Sequence, residues 1–180
     1  MNRRSCRYAA IAAVGAVFAF GACSGGNTGV RWPATFAPGE AELFSHNEVV
    51  IIAPCEHVWS TLVRANAWPS WYSNAHDVAL AGAESELRSG SHFSWTTFGI
   101  RVHSKVREFV PARRLAWFGQ APGITAYHTW QLSPLATGCH VVTDETNNGP
   151  QAVALRRDKP EAIHDGHAQW LGQLKSRLER

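Results

Sequence analysis

No apolar run in this chain of 180 residues is long enough to cross a membrane. The stretch from Ala9 to Ala22 has fourteen residues, and as a helix it would reach about 21 Å, short of a hydrocarbon core of about 30 Å. Nor does an excess of charge survive once this segment is set aside. Arg3, Arg4 and Arg7 precede it with no acid beside them, which leaves fourteen Lys and Arg against fourteen Asp and Glu. The basic pI of about 8.8 therefore belongs to the first residues, and no nucleic-acid partner is expected. The chain also lacks a phosphate-binding loop, a nucleophile paired with a base, a recognisable triad and any internal repeat. No cofactor is expected on these grounds.

A basic start, a short apolar run and the small residues Gly21 and Ala22 together read as a signal peptide over residues 1–22. Phe20-Gly21-Ala22-Cys23 resembles the lipobox of bacterial lipoproteins, with Phe20 in place of the usual Leu. That resemblance implies acylation of Cys23, export and a membrane anchor through the lipid; simple secretion is the alternative. Residues 23–42, rich in Gly, Pro and Ala, read as a tether and irregular lead-in.

The folded domain spans 43–180 in this reading. "HNEVVIIAP" (46–54) is an apolar run stopped by proline and predicts a strand. Pro54, Glu56 and the spacing of Val58, Leu62 and Val63 predict a helix, which "WPSWY" (68–72) breaks. Six strand-like runs follow, at 77–82, 91–98, 100–110, 114–119, 125–132 and 140–146. Short links between them imply an antiparallel meander. The stretch "NNGPQAVALRRDKP" takes no clear class. After it, Asp158 and Glu161 form a capping-box pattern, and Ile163, His167, Trp170, Leu171, Leu174 and Leu178 make the stripe of a long closing helix, with Gly166 as a weak point.

This order of elements resembles the α+β helix-grip fold: a curved antiparallel sheet of about seven strands wrapped around a long C-terminal helix, with short helices after the first strand. The wording of "IIAPCEHVWSTL", "WPSWY", "VREFVPARRLAW", "YHTWQLSP" and "HAQWLGQLKSRLE" is similar to that of the SRPBCC or START-like superfamily, especially its polyketide cyclase/dehydrase-like branch. The resemblance covers about residues 44–180. It implies an apolar cavity between sheet and helix, and it implies a pocket more strongly than a reaction.

In such a fold, alternation assigns the inner sheet face to Phe93, Trp95 and Thr97, to Val102, Ser104, Val106 and Glu108, to Leu115 and Trp117, and to His128, Trp130, Leu132, Val141, Thr143 and Glu145. A single bulge would exchange some of them. The expected pocket comprises Phe93, Trp95, Val102, Ser104, Val106, Trp117, His128, Trp130, Thr143 and Glu145, with His167 bordering it from the helix. His128 and Glu145 are the candidates for general acid/base work; their bland alternative is a satisfied core histidine and a carboxylate at an exposed strand end.

His164 and His167 stand three apart with no third ligand at a firm spacing, so no metal site is expected. Trp68, Trp71 and Trp170 read as core anchors, and Arg113-Arg114 and Arg156-Arg157 as solvated edges. Were the first strand to pair with the last, Cys55 would lie beside Cys139, and a disulfide is expected there. In the chain-entropy model a loop of about 84 residues makes this worth up to about 4–5 kcal/mol. The function expected is the binding of a hydrophobic small molecule or lipid. A cyclase/dehydratase-type enzyme and an envelope interaction module whose cavity has collapsed around Trp95, Trp117 and Trp130 remain open as alternatives. Oligomeric state is not legible.

Overall fold

A computed structural model describes residues 29–180 of the protein; the signal peptide expected over 1–22, and Cys23 with its expected acylation, lie outside the described residues. The element order is β1 (Leu43–Ile51), α1 (Cys55–Val63), a 3-10 segment (Ala65–Ser70), β2 (His76–Leu80), β3 (His92–Thr97), β4 (Ile100–Val110), β5 (Arg114–Ala121), β6 (Ile124–Leu135), β7 (Gly138–Asn148), α2 (Pro150–Asp158) and α3 (Ala162–Leu178). The seven strands form one antiparallel sheet in the order β1-β7-β6-β5-β4-β3-β2. With α3 against its inner face, this is the helix-grip arrangement implied by the order of segments.

Register sets the inner face rung by rung. Val106 of β4, Trp117 of β5, His128 of β6 and Glu145 of β7 lie side by side, and Ser45 of β1 pairs with Glu145 at the end. The next rung toward one end of the groove runs Ser104, Gly119, Ala126, Asn147 and Leu43. Toward the other end, Leu115, Trp130, Thr143 and Asn47 form a rung. Side-chain size therefore falls along the groove in the order Trp130, His128, Ala126 on β6, and drops sharply from Trp117 to Gly119 on β5.

A β-bulge between Val106 and Glu108 corrects one assignment. Glu108 pairs with Ala116 on the outer face, where Arg114 Nε donates to its carboxylate and the backbone N–H of Arg31 adds a second bond. Arg114 is thus half of a largely buried ion pair rather than a solvated edge. The lead-in from residue 29 to 42 is pinned to this same face. Its single 3-10 turn, Ala34–Phe36, seats Phe36 against Phe118 and Tyr127, while Trp32 meets Tyr127. Thr146 Oγ1 and Asn148 Nδ2 donate to the carbonyls of Phe36 and Thr35.

The disulfide expected from the pairing of first and last strands is present: Cys55 and Cys139 are bonded across Cα atoms 5.0 Å apart. Gly138 beside it is needed for close approach, since a Cβ there would run into the carbonyl of Ile51. In the C-terminal region one stretch gains an assignment and two expectations, the Asp158 cap and the weak point at Gly166, are corrected. The unassigned stretch forms α2, which starts with Pro150 at its first position after Gly149 and buries only Ala152. Asp158 does not cap α3; its carboxylate is held by Arg157 in a bidentate pair, and the N-cap is Glu161 without a side-chain bond. Gly166 does not interrupt α3. Its bare Cα is the seat of the Phe98 ring, which reaches over from the β3–β4 turn and would collide with a Cβ at this position.

Candidate functional site

Between the sheet and α3, the groove is filled at one end and open at the other. Trp68, fully buried, lies within 5.9 Å, ring centre to ring centre, of Phe93, Trp95, Trp117 and Trp170. Trp130 packs edge-on against Trp170 at 5.1 Å, and Tyr72 stacks on the same ring at 4.4 Å. Beyond this aromatic plug the small residues Gly119, Ala121, Ala126 and Ala162 leave a cavity of about 390 Å³. That lies within the range of about 300–1,000 Å³ usual for small-molecule sites. Its mouth is framed by Phe98 and Ile100, each nearly half exposed, and by Leu155, Lys159 and Ile163 from the α2–α3 side.

Of the residues assigned to the pocket by alternation, Trp95, Val102, Trp117, His128 and Glu145 line this cavity, as does His167. Phe93, Ser104, Val106, Trp130 and Thr143 do not; all are buried, Ser104 on the Gly119 rung and the other four in or beside the aromatic plug. Alternation fixes the face of a strand but not the place along a groove that a helix partly fills. Asn147, Gly119, Ala126, Leu155 and Lys159 were not anticipated in the wall. The signal for two of them was present as small residues spaced by two on otherwise bulky strand faces.

At the floor of the cavity stands a polar cluster. His128 is buried, with Nε2 2.7 Å from Thr143 Oγ1 and Nδ1 3.1 Å from Glu145 Oε2. The other carboxylate oxygen, Oε1, accepts from Asn147 Nδ2 at 3.0 Å. His167 approaches from α3 with Nε2 3.6 Å from Glu145 Oε2, and its ring stacks on that of His128 with centroids 4.6 Å apart. Among the described residues no group partners His167 Nδ1, nor the indole N–H groups of Trp95 and Trp170 on the same wall. His164, the neighbour of His167 in the sequence pattern, points to solvent, so the helix does not present a histidine pair.

Burial pulls His128 down to about 4, with the nearby His167 acting in the same direction against the pull of Glu145. Burial alone would push Glu145 up, but the contacts with His128 and His167 outweigh it and hold the carboxyl below its usual range. At neutral pH this makes Glu145 a carboxylate and His128 a neutral imidazole. The proton of His128 then lies on Nδ1, directed at Glu145, and Thr143 donates to Nε2. Thr143 Oγ1 also stands 3.1 Å from the Thr129 carbonyl. When Nε2 gains a proton the hydroxyl can turn to that carbonyl, so the cluster can take up and release one proton with a single hydroxyl rotation. Burial also pushes the Tyr72 phenol on the cavity wall up to about 12, which keeps it neutral.

Comparison with known proteins agrees with this arrangement. The family model described as "Polyketide cyclase / dehydrase and lipid transport" matches residues 45–179. A crystal structure of a hypothetical protein from Helicobacter pylori is similar at 30% identity and a TM-score of 0.77, covering 83% of this chain and 96% of that one. A START superfamily protein from Mycobacterium smegmatis is similar at 13% identity and a TM-score of 0.61, covering 76% and 97%. A protein of the dynemicin biosynthetic locus gives 19% and 0.56, covering 76% of this chain and 47% of its own. None of the curated proteins matches the chain.

Proposed function

Because the chain belongs to the polyketide cyclase/dehydrase and lipid transport family, we propose that it holds a hydrophobic small molecule or lipid between the sheet and α3 and carries or senses it unchanged. The observation that carries this reading is the cavity itself: largely apolar walls, an aromatic plug closing one end and an open mouth at the other. The same cavity weighs against the collapsed interaction module, since the tryptophans fill only one end of the groove. Native mass spectrometry of the exported protein purified without detergent tests the reading. A co-purifying apolar species released on denaturation is the expected result; no bound mass, together with no uptake from a lipid extract, would overturn it.

One observation favours a second reading, acid/base catalysis of the cyclase or dehydratase type. Glu145 sits between two imidazoles, and His167 offers an unpartnered Nδ1 in the cavity wall. A bound enol or hydroxyl could exchange a proton there while the cluster relays it through Glu145 and His128. His128→Gln separates the two readings: a carrier keeps most of its affinity, whereas an enzyme binds but loses turnover.

Export with acylation at Cys23 belongs to the same proposal and would place the cavity close to a membrane. The disulfide suits an oxidising compartment, and no helix among the described residues is long and apolar enough to cross a membrane. Metabolic labelling with palmitate, lost in Cys23→Ser, is the expected behaviour of a lipoprotein; an unlabelled, fully released protein would leave simple secretion.

A further inference from the structure

His167 is buried, yet among the described residues neither of its nitrogens is within normal hydrogen-bond reach of a protein group: Nε2 stands 3.6 Å from Glu145, and Nδ1 has no partner there. A buried polar group left in this state is destabilising. Its neighbours suggest what would complete it. Ligating atoms of His128, Glu145 and His167 lie within 4.8 Å of one another. Zinc binds imidazole nitrogen at about 2.0–2.1 Å and carboxylate oxygen at about 2.0–2.2 Å, so donors at the corners of a tetrahedron stand roughly 3.3–3.5 Å apart. The separations of 3.1 Å from His128 to Glu145 and 3.6 Å from His167 to Glu145 bracket that spacing.

We propose that His128, Glu145 and His167 form a three-ligand site for a borderline divalent transition-metal ion such as zinc, with the fourth coordination position open to the cavity. The outer contacts suit the role. Nε2 of His128, the nitrogen turned away from the carboxylate, meets Thr143 Oγ1, and Asn147 steadies the free oxygen of Glu145. Such bonds orient metal ligands. The three side chains come from β6, β7 and α3, so no spacing in the sequence could display the set. The inference does not depend on an apolar ligand: the ion would bind whether or not the rest of the cavity is used.

A second group of histidines and carboxylates, on the opposite face of the sheet, supplies the control. There His46 Nδ1 contacts Asp144 at 2.6 Å and His140 Nε2 contacts Glu48 at 3.0 Å, with both histidines already paired. The test is isothermal titration of the whole mature protein, stripped with a chelator, with Zn²⁺, and the absorption spectrum with Co²⁺ as a reporter of coordination. One equivalent should bind, with visible Co²⁺ bands of a low-symmetry site. His167→Gln and Glu145→Gln should abolish this, Thr143→Val should weaken it by about ten- to a hundred-fold, and His46→Gln should leave it unchanged. Circular dichroism on each variant confirms folding, and His167→Gln, on α3 rather than within the sheet, guards against a sheet variant that does not fold. No binding by the folded wild type, or binding lost in His46→Gln and kept in His167→Gln, would overturn the proposal.

Discussion

The two ends of the groove share the same strands and the same helix, yet one is solid and the other hollow. At the solid end, Leu115, Trp117 and Trp130 meet Trp68 and Trp170 from the opposite wall. At the hollow end, the same strands present Gly119, Ala121 and Ala126, and α3 presents Ala162 and Gly166. The difference teaches that backbone architecture provides only a groove. Side-chain volume along each strand decides where the groove becomes core and where it becomes a site, and the polar cluster stands on the rung where the two meet.

The comparison breaks most visibly if the plug is truncated. Trp170→Ala removes a buried ring that touches Trp68, Tyr72, Trp95 and Trp130, and should lower stability by about 3–5 kcal/mol in urea denaturation. On the hollow side, Val102→Ala truncates a half-buried cavity residue and should cost about 1 kcal/mol or less. Equal losses would mean that the cavity closes up in solution and that the two ends do not differ. Next in size is the clasp that holds β1 and α1 to β7. The Cys55→Ser, Cys139→Ser double variant should lose about 2–4 kcal/mol by the same measurement, without altering the size of the cavity some distance along the sheet.

The boundary rung is tested by pH. Burial holds His128 at about 4 in the folded protein against an ordinary 6.5, so between these values the unfolded chain binds the extra proton and stability falls as pH falls. The Glu145 carboxyl, held low, adds a second loss as pH drops below its ordinary 4.5. At about 1.4 kcal/mol per pH unit, the His128 window, from 6.5 to about 4, accounts for on the order of 3 kcal/mol. Denaturation between pH 7 and 4, with a chelator present, should show this slope, and His128→Gln should flatten its upper part. A wild-type profile flat from 7 to 5 would place water or a further charge beside the ring, and the rung would no longer count as buried.

Much of the fold was legible because strands and helices announce themselves by period. The seven strands, α1 and α3 follow from apolar spacing, and the β1–β7 neighbourhood follows from the helix-grip order. What was not legible depends on objects that span elements. Glu108 changes face because one residue bulges after Val106, which alternation cannot foresee. The helix α2 buries a single alanine and so carries almost no apolar stripe. In the cavity, His128 and Glu145, both expected on the inner face, lie opposite each other on adjacent strands. Trp130 and Thr143 lie on the expected face but on the plugged rung, and Phe93 packs into the plug, whereas Val106 and Ser104 share rungs with cavity residues and are buried without lining the cavity. The small residues that make the cavity were passed over because a reading for chemistry looks for functional groups, whereas a cavity is written in their absence.

Filling the hollow end should make it resemble the solid one. Ala126→Phe projects a ring into the cavity beside Gly119, with stability changed by about 1 kcal/mol because open space receives the ring rather than packed core. Uptake of a fluorescent fatty-acid or naphthalene probe, measured by titration, should weaken about ten-fold or more, equivalent to about 1.4 kcal/mol. Unchanged uptake would locate probe binding outside the cavity.

The smallest effect is expected at the mouth, where Phe98 rests on Gly166. Gly166→Ala gains roughly 1 kcal/mol of helix propensity but places a methyl where the Phe98 ring lies. Phe98 is already 46% exposed, so losing its seat removes only part of the burial energy of a phenylalanine, about 1 kcal/mol. The two terms nearly cancel, and the melting temperature should hardly move. Dissociation of the same probe should nevertheless accelerate in stopped flow, because the ring no longer bridges the β3–β4 turn to α3, and Phe98→Ala should reproduce that rate. A Gly166→Ala variant that loses several kcal/mol would instead make Phe98 part of the core. The mouth would then be a second plug, and the hollow end a closed chamber.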